Sequence, residues 1–482
     1  MKLISKLMGI IAGKPIVFLS KEDAKKLSVY PSDRVKISKN KKYISAIVNI
    51  AEIKKGYIGI SSYLENYLNI KNGDLLEVDL IEPPESLAYI RKKLDGERLN
   101  YHEIKTIISD IVKHKLDDCE IATYVSSCYI HKNSDRETES LIRAMVETGE
   151  RIKFKDKIIA DLHSIGGVPG NRITPIVVPV IASCNIKMPK TSSRAITSAS
   201  GTADTIEAIA RVSFNKKEIQ KIVNKHYGCM VWGGNLNIAP ADEKIIEVEY
   251  PLSIDAESQL IASILSKKIA VGATHVLIEI PVGKETKIKT KKEGERLKEK
   301  FIRFGKKFGM KVFVNICDGS QPIGKGIGKN LEIRDVLWVL CGDKRGPIDL
   351  KEKSIKTANQ LLKLLNIKKD AREIINSGAA FDKFKEIIEA QEGKIPKYIK
   401  VGKYSKNILS KKSGKIKHIS NYNINKVARF AGSPQDSGAG IYIYKKVGDS
   451  VKKGETLFTI YSENKDKLKF ALKYSDLVYK IK

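Results

Sequence analysis

Two loops rich in small residues constrain this sequence more than any other feature. Residues 161–170 lead into a helix predicted to begin at Thr174, which would act as its N-cap. Residues 191–202 lead into a helix predicted from about Ala203. Each loop follows a predicted strand, and this alternation predicts a mainly parallel sheet covered by helices on both faces. The strands predicted in this region are 157–161, 186–188, 276–281 and 312–317.

Both loops are predicted at the carboxyl ends of parallel strands, where open α/β sheets bind their ligands. Free backbone N–H groups and the helix dipole favour anions at such positions. Runs of glycine and serine also form ordinary turns, so either loop alone could be a simple turn. Two such loops in neighbouring strand–helix units favour an anion site. The side chains that could donate to phosphate oxygens are Ser164, Thr174, Ser192, Ser193, Arg194, Thr197, Ser198 and Thr202.

The whole sequence predicts a multidomain α/β protein. At roughly 150 residues per domain, its 482 residues allow about three domains. Alternating apolar runs predict an N-terminal β-rich, barrel-like domain, and a helical period then predicts a helical subdomain. We expect about 240–270 to join this helical subdomain. The predicted segments are 1–84 (β-rich), 85–150 (helical), 151–392 (α/β), 393–425 (a Lys-rich linker or exposed hairpin) and 426–482 (β-rich).

The net charge of +31 comes from 87 Lys and Arg against 56 Asp and Glu. Three explanations are open: a solvated lysine surface, an adaptation to small anionic substrates, and a surface for a nucleic-acid polymer. Only 15 of the cations are Arg, the residue favoured for bidentate recognition of phosphates and bases. A nucleic-acid polymer is therefore the least favoured partner.

Other features argue against several protein classes. The apolar runs are shorter than the roughly 18 residues of a membrane span. Lys6 and Lys14 interrupt the apolar stretch that a secretory signal needs, so we expect a cytoplasmic protein without a membrane partner. The six cysteines show no CxxC spacing, so no metal site is predicted.

Residues 319–325 match the first part of a P-loop. Gly326, however, stands where a P-loop has the Ser or Thr that reaches Mg²⁺. We therefore interpret this segment as a mobile Gly-rich loop near the site.

Several ordered sequence blocks resemble one known family. Those that carry the resemblance are His163-Ser-x-Gly-Gly-Val168, Ser192-Ser-Arg-Ala-x-Thr-x-x-x-Gly-Thr-x-Asp204, 238–242 and 261–268. They resemble the signature of the thymidine and pyrimidine nucleoside phosphorylases. The resemblance runs from about residue 85 to the end, because 437–441 and 447–454 are similar to the C-terminal barrel-sandwich module of that family. With its additional N-terminal β domain, the chain is most similar to the archaeal AMP phosphorylases of that family.

The resemblance implies phosphorolysis of AMP, and also of CMP and UMP, with inorganic phosphate to the free base and ribose 1,5-bisphosphate. It implies no cofactor, and a homo-oligomer that is at least a dimer. By matched position, phosphate binding falls to Ser164, Thr174, Ser192 and Thr202. AMP binding falls to Gly167, Ser193, Arg194, Ala195, Ile196, Thr197, Ser198, Thr202, Ser263 and Lys287, with His163 and Lys267 as further candidates.

The chain departs from the family pattern at two positions. Leu162 stands where the pyrimidine enzymes have a phosphate-binding Lys, so part of the anion site must be built differently. Val248 stands where they have the Arg of the pyrimidine clamp, whose Ser and Lys persist here as Ser263 and Lys267. A pyrimidine carbonyl would lose its strongest partner, which disfavours pyrimidine specificity.

Asp255 is the candidate catalytic residue. Phosphorolysis of a purine nucleotide leaves negative charge on the departing base, which a proton on N7 would relieve. A positioned Asp can donate that proton, and the resemblance places the proton donor at Asp255. On sequence alone the same residue could simply cap a helix predicted over 256–266.

Two other functions remain open for this sequence. One is a thymidine or pyrimidine nucleoside phosphorylase, against which Val248 and the N-terminal domain argue. The other is a basic RNA-binding protein with a phosphorylase-like body, against which the shortage of Arg and of aromatic-studded basic motifs argues. The expected partners are therefore a nucleotide and phosphate.

Overall fold

The computed structural model describes residues 1–40, 42–195, 198–252 and 254–482. These residues form two compact units. The first contains residues 1–148 and 241–259, and the second contains residues 149–240 and 260–482.

A closed six-stranded barrel opens the first unit. Its elements are β1 (Lys2–Leu7), β2 (Ile16–Leu19), α1 (Lys21–Leu27), β3 (Arg34–Lys39), β4 (Lys42–Ile50), β5 (Tyr57–Ile60), α2 (Ser62–Leu68) and β6 (Leu75–Leu80). Around the barrel the strands follow the order β1-β5-β2-β4-β3-β6. Alternate residues point into the core: in β6, Leu76 and Val78 are fully buried while their neighbours are exposed.

Four helices follow the barrel in the first unit. They are α3 (Ser86–Leu94), α4 (Tyr101–Val112), α5 (Asp118–His131) and α6 (Asp135–Glu147). In α4, Ile104, Ile107 and Ile108 form a buried face, as their spacing predicts. α4, α5 and α6 each begin with a capping box, which satisfies two backbone N–H groups at each helix start. A buried ion pair of 2.8 Å between Lys93 and Glu137 links α3 to α6.

A parallel sheet forms the centre of the second unit. The elements of this part of the chain are β7 (Ala160–Ser164), α7 (Thr174–Ala182), β8 (Met188–Ser192), α8 (Thr202–Glu207), α9 (Lys216–His226), β9 (Gly228–Trp232), α10 (Pro240–Leu252, in the first unit), α11 (Glu257–Ala270), β10 (His275–Val282), α12 (Lys291–Lys307), β11 (Lys311–Asp318), β12 (Gly326–Ile327), α13 (Lys329–Leu340), α14 (Ile348–Leu364), α15 (Ala371–Asn376) and α16 (Ala379–Ala390). β11, β10 and β7 pair in parallel, as do β8 and β9. A parallel bridge between Ile159 and Lys187 connects the two groups.

This arrangement places the carboxyl ends of five strands at one edge, which we call the carboxyl edge. The predicted parallel sheet is thus present, although β9 was not predicted. All nine residues of α7 are buried, and six of them, its Ile, Val and Ala residues, belong to a hydrophobic core of the second unit. A helix that is apolar on every side is expected to be buried in this way.

The chain ends in a C-terminal region with two small sheets. Its elements are β13 (Tyr404–Leu409), β14 (Gly414–Ile419), α17 (Asn421–Phe430), β15 (Gly440–Ile443), β16 (Ser450–Val451), β17 (Thr456–Ser462), α18 (Lys465–Leu472) and β18 (Tyr479–Ile481). The sheets have the strand orders β12-β15-β17-β13 and β16-β14-β18. β12 comes from the α/β part of the chain, so the first sheet joins distant segments.

The prediction of a linker or exposed hairpin over 393–425 is wrong. β13 and β14 lie in this segment, and they pair in two different sheets instead of with each other. α17 also begins here. The Lys-rich sequence misled the prediction because β13 is an edge strand with mostly exposed side chains, a position where lysine is common.

Two kinds of feature are absent from the described residues. Within these ranges, no helix is both long and apolar enough to cross a membrane. The same ranges contain no group of three or more His, Cys, Asp or Glu side chains arranged to hold a metal ion.

Candidate functional site at the carboxyl edge

The loops after β7, β10 and β11 meet at the carboxyl edge. Gly167, after β7, has a φ of +104°, and a Cβ there would lie 3.1 Å from the Cα of Thr286 and 3.3 Å from the backbone nitrogen of Lys287. A Cβ on Gly319, after β11, would lie 2.7 Å from the Cγ2 of Thr286. Only glycine allows so close an approach. The structure thus brings together Gly167 and Lys287, which were both predicted to bind AMP.

The loop 319–325 is anchored at several points, unlike the mobile segment that the sequence suggested. The Nζ of Lys446 donates to the carbonyl oxygens of Pro322 (2.7 Å) and Gly324 (2.6 Å). The buried carboxylate of Asp335 accepts hydrogen bonds of 2.7 Å from the backbone nitrogens of Lys325 and Gly326. These contacts hold the second half of the loop in place.

Ser164, a predicted phosphate-binding residue, ends β7. Its Oγ accepts a hydrogen bond of 3.2 Å from the Nδ2 of Asn171. The Oδ1 of Asn171 is buried and finds no hydrogen-bond partner among the described residues. A buried polar atom in this state normally has a ligand or a water as its partner. The sequence did not single out Asn171, because Asn is common in ordinary turns.

Ser192, another predicted phosphate-binding residue, ends β8. Its Oγ is buried and also lacks a hydrogen-bond partner within the described part of the chain. β8 pairs with β9 and is bridged to the β7 side of the sheet, so Ser192 and Ser164 both lie at the carboxyl edge. An unpaired hydroxyl donor at the end of such a strand suits a small anion.

The loop after Ser192 folds back on the start of α8. One carboxylate oxygen of Asp204 accepts hydrogen bonds from the backbone nitrogens of Ala195 (2.7 Å) and Gly201 (2.8 Å). Thr202 is the first residue of α8. The predicted residues Ser193, Ala195 and Ser198 belong to this loop, and the predicted residues Ile196 and Thr197 lie outside the described residues.

The guanidinium of Arg194 is paired within the protein. It donates to Glu207 at 2.8 Å and 2.6 Å and to Asp204 at 3.2 Å, and it lies 4.8 Å from the centre of the Trp232 ring. The bond to Glu207 raises the pKa of Arg194, and Arg194 lowers the pKa of Glu207 to about 2. Two carboxylates therefore neutralise the cation that was predicted to bind AMP, and that binding role stays a prediction.

Arg172, which the sequence did not reveal as important, connects the two small-residue loops. Its buried side chain donates through Nε to Glu332 (2.6 Å) and Thr205 (3.2 Å). It also donates to the carbonyl oxygens of Asn171 (3.1 Å) and Ser200. Arg172 therefore holds both loops against α13 through a pair that carries no net charge.

A second buried charge cluster lies beside His163. The Nζ of Lys190 donates to the carbonyl oxygen of Leu162 at 2.6 Å and lies 3.5 Å from the carboxylate of Asp161. The Nζ of Lys268 lies 2.7 Å from the same carboxylate. Burial, together with the charge of Lys268, lowers the pKa of Lys190 to about 7, so its amine is only partly protonated at neutral pH. The lysine cluster, as we call Lys190, Asp161 and Lys268, contains two lysines and one carboxylate.

His163 lies in the electrostatic field of four lysines. Burial lowers the pKa of its imidazole well below the usual range, and Lys268, Lys190, Lys267 and Lys287 lower it further. The imidazole is therefore neutral at pH 7, where it can donate one hydrogen bond and accept another. The charges of the candidate Lys267 and the predicted Lys287 thus both act on His163.

The side chain of Leu162 is fully buried in the main hydrophobic core. Leu162 therefore provides no cation to the site, as the sequence indicated. The ammonium group of Lys190 instead binds the backbone carbonyl of Leu162 from the neighbouring strand. A cation is thus present near this position, although it comes from β8.

The remaining predicted residues have these locations. Thr174 is the first residue of α7 and the capping position is Ile173, so the prediction that Thr174 caps the helix is wrong. Ser263 and Lys267 lie one turn apart on α11 in the second unit. In the first unit, Val248 lies on α10 and Asp255 is exposed between α10 and α11, which begins at Glu257.

Three family models match successive parts of the chain. The "Glycosyl transferase family, helical bundle domain" matches residues 87–149, and the "Glycosyl transferase family, a/b domain" matches residues 156–334. The "Pyrimidine nucleoside phosphorylase C-terminal domain" matches residues 415–482. These matches confirm the multidomain α/β organisation with a helical bundle.

Solved structures with the same fold include two anthranilate phosphoribosyltransferases. The enzyme from Thermus thermophilus gives a TM-score of 0.51 at 15% identity, covering 63% of this chain and 99% of that one. The enzyme from Saccharomyces cerevisiae gives a TM-score of 0.51 at 14% identity, covering 64% of this chain and 98% of that one. At such low identity, the likeness concerns the fold alone.

Curated relatives match the chain over nearly its whole length. The AMP phosphorylase of Methanocaldococcus jannaschii is 42% identical over 477 residues, which is 97% of this chain and 95% of the relative. That of Thermococcus kodakarensis is 43% identical over 482 residues, covering 98% and 96%. That of Pyrococcus furiosus is 42% identical over 477 residues, covering 97% and 95%. With this identity and coverage, the chain belongs to the AMP phosphorylase family.

Proposed function

We propose that the chain catalyses the phosphorolysis of AMP. The C1′–N9 bond breaks, a phosphate oxygen bonds to C1′, and the products are adenine and ribose 1,5-bisphosphate. The observation that carries this proposal is the similarity to archaeal AMP phosphorylases over 97% of the chain. The glycosyl transferase family models that match residues 87–149 and 156–334 agree with the transfer of a pentosyl group.

In this proposal, inorganic phosphate binds at the ends of β7 and β8. Ser164 and Ser192 end these strands, and Thr174 and Thr202 begin the helices that follow them. The unpartnered hydroxyl of Ser192 supports this assignment, since it can still donate to a ligand oxygen. Phosphate is already an anion at neutral pH, so the protein orients it and compensates its charge without a base.

The positive charge for phosphate comes from the lysine cluster in this proposal. The pKa of Lys190 is lowered to about 7, and a bound anion favours its protonated form; Lys190 and Lys268 then carry one more charge than Asp161 neutralises. Their effect on the pKa of His163, which directly precedes Ser164, supports a positive potential at this corner. The cluster would thus replace the cation that the pyrimidine enzymes carry at the position of Leu162.

AMP binds, in this proposal, along the loops that follow β7, β8 and β10. The close approach of Gly167 to Lys287 supports their assignment to one ligand. From the loop after β8 the proposal assigns Ser193 to Ser198 and Thr202, and from α11 it assigns Ser263, with His163 and Lys267 as further contacts. Because the charge of Arg194 is neutralised by Glu207 and Asp204, Arg194 contributes mainly to the shape of its loop.

Asp255 is the proposed proton donor. The adenine that leaves C1′ takes up the electron pair of the broken bond, and a proton delivered to N7 neutralises it. The exposed position of Asp255, between two helices and outside both, leaves its carboxyl group accessible to a ligand.

Val248 supports a preference for a purine base. An isopropyl side chain has no donor for a pyrimidine carbonyl, so the arrangement lacks the clamp of the pyrimidine enzymes. CMP and UMP are weaker candidate substrates in this proposal. The absence of a cofactor and of a nucleic-acid polymer partner, the homo-oligomer of at least two chains and the cytoplasmic location remain predictions from the sequence.

A direct assay tests the activity. The protein is incubated with phosphate and either AMP or thymidine, and free base is followed by chromatography. We expect adenine from AMP only when phosphate is present. Release of thymine but not adenine would identify a thymidine phosphorylase instead, and no release from any nucleotide would favour the RNA-binding alternative.

The same assay tests Asp255. Asp255→Asn keeps the size of the side chain but removes its acidic proton, so we expect turnover to fall by about two to four orders of magnitude while AMP binding remains detectable. Asp79→Asn, which changes an exposed carboxylate of β6, is the matched control and should leave turnover unchanged. Near-normal turnover of Asp255→Asn would remove Asp255 from the catalytic role.

A further inference from the structure

Helix α17 of the C-terminal region contacts two loops that the proposed function assigns to the nucleotide. One loop, 283–288, follows β10 and contains Lys287. The other, 193–201, follows β8 and contains Ser193 and Ser198. The residues of α17 do not belong to the sequence blocks from which the AMP-binding residues were predicted.

Glu285 attaches the first loop to the start of α17. Its carboxylate accepts hydrogen bonds from the Oγ of Ser420 (3.0 Å) and the backbone nitrogen of Tyr422 (2.9 Å), and the Nε2 of His418 lies 3.2 Å away. Burial by itself would raise the pKa of Glu285, but these bonds hold it below its usual range. A carboxylate is favourable at a helix N-terminus. Lys287 follows two residues later, so this attachment restrains its backbone.

Ala199 attaches the second loop to the other end of α17. Its backbone nitrogen donates to the Oδ1 of Asn425 (3.1 Å), and its carbonyl oxygen accepts from the Oγ of Ser433 (2.7 Å). Its methyl group is fully buried in the hydrophobic core of the C-terminal region. Both backbone groups of Ala199 are therefore bound by C-terminal residues, directly after the predicted AMP-binding Ser198.

A further hydrogen bond joins α17 to a third loop, the one after β11. The buried Nδ2 of Asn421 donates to the carbonyl oxygen of Gly319 at 2.8 Å. Gly319 in turn packs against Thr286, between Glu285 and Lys287. Residues of α17 thus bind loops that follow three different strands of the parallel sheet.

We infer that α17 and Ser433 act as a positioning element that holds the nucleotide-binding loops in the conformation that accepts AMP. Glu285, Asn425 and Ser433 are positioning residues, since they fix the loops without a role in the chemical step. Loops at the ends of strands keep binding groups in place only when their backbone is supported from behind. This inference rests on the proposed function, because it takes the loops to bind AMP.

The test is steady-state kinetics of the full chain with AMP and phosphate. Asn425→Ala removes the acceptor for the backbone nitrogen of Ala199, and we expect the KM for AMP to rise about fivefold or more, as loss of one hydrogen bond allows. We expect kcat at saturating AMP to change by less than about twofold, because the bound loop can still adopt the active conformation. Asn425→Asp keeps the acceptor oxygen and should stay close to the wild type in KM.

Two further variants make the test independent of one substitution. Ser433→Ala removes the donor to the carbonyl oxygen of Ala199, and Glu285→Gln weakens the attachment of the other loop. Both should raise the KM for AMP. Asn407→Ala is the matched control, because Asn407 lies in the same region and accepts a hydrogen bond there from Thr459. Thermal melting of each variant shows whether it is folded.

The outcomes separate this inference from the proposed function. A wild-type chain that releases no adenine from AMP contradicts the proposed function itself. An active wild type whose Asn425→Ala, Ser433→Ala and Glu285→Gln variants keep an unchanged KM contradicts only the positioning role. The positioning role is also contradicted if these variants lower the melting temperature without a change in KM. It is contradicted as well if the KM of Asn425→Asp rises as much as that of Asn425→Ala.

Discussion

The two buried charge clusters described in the second unit differ in their balance of positive and negative charge. The cluster around Arg172 contains one cation and one carboxylate, Glu332, and its remaining bonds go to Thr205 and backbone carbonyls. The lysine cluster contains two lysines, Lys190 and Lys268, and only one carboxylate, so it has a surplus positive charge when Lys190 is protonated. Both lie near the loops at the carboxyl edge.

This difference indicates different roles. A neutral, fully bonded cluster holds loops together and leaves no field for a ligand, since its charges cancel. A cluster with surplus positive charge is unfavourable in the protein alone and becomes favourable when an anion binds nearby. We therefore expect changes at Arg172 to affect mainly stability, and changes at Lys190 to affect mainly anion binding.

Asp161→Asn should have the largest effect. It leaves two buried ammonium groups without their counter-ion, and removal of one partner of a buried ion pair costs about 3–5 kcal/mol of unfolding free energy. Urea denaturation measures this loss. Asp476→Asn is the control, because Asp476 lies in an exposed pair with Lys411, and its midpoint should match the wild type. A stable Asp161→Asn variant would mean that the lysines do not need this carboxylate.

Arg172→Lys is expected to have the next largest effect. Lysine keeps the charge next to Glu332 but cannot reproduce the bonds to Asn171 and Ser200, so we expect a loss of about 2–3 kcal/mol in the free energy of unfolding. The KM for phosphate should change little in comparison. A large rise in that KM without a loss of stability would reverse the roles of the two clusters.

The third prediction concerns pH. The pKa of His163 is lowered in the folded chain, so below its unfolded value of about 6.5 the unfolded chain binds the proton and the folded chain does not. The stability of the wild type should therefore fall as the pH drops from 7.5 to 5.0, with part of that fall due to His163.

Urea denaturation of His163→Asn at the two pH values checks this prediction. The variant should lose less stability than the wild type between pH 7.5 and pH 5.0. His102→Asn, at an exposed histidine of α4, should lose as much as the wild type. Equal losses for all three proteins would contradict a buried, neutral His163.

Lys190→Met should have the smallest free-energy effect. It leaves Asp161 with one partner, Lys268, so the stability should equal or exceed that of the wild type. We expect the KM for phosphate to rise about tenfold, equivalent to about 1.4 kcal/mol. Lys298→Met, on the exposed face of α12, changes the net charge equally and should not alter this KM. An unchanged KM in Lys190→Met would show that the lysine cluster is only structural.

The sequence predicted those parts of the molecule that depend on local patterns. The buried face of α4 and the start of α7 at Thr174 follow from residue spacing and from proline chemistry close by in the chain. The two small-residue loops were located because glycine and hydroxyl residues are clustered in sequence. The resemblance to a family then assigned roles that no local pattern could provide.

The parts that the sequence did not predict depend on contacts between distant residues. Lys268 lies 107 residues from Asp161 in the chain, and Glu332 lies 160 residues from Arg172. Neither pair has a signal in the local sequence, so Lys268 looked like one lysine among many. The pairing of Arg194 with Glu207 was missed for another reason. The charge of Arg194, in a hydroxyl-rich loop, suggested an anionic ligand, but the carboxylates of α8 neutralise that charge.

The first sheet of the C-terminal region has a consequence for how the chain can be divided. Its strand β12 comes from residues 326–327 and pairs with β15 through Gly326–Tyr442 and Ile327–Ile441. During synthesis, β12 emerges long before the strand that completes its pairing. A C-terminal fragment cut anywhere after residue 327 would leave one side of β15 uncovered, and an open strand edge promotes association with other chains. Shortened versions of the chain made for expression should therefore contain β12 together with the C-terminal region.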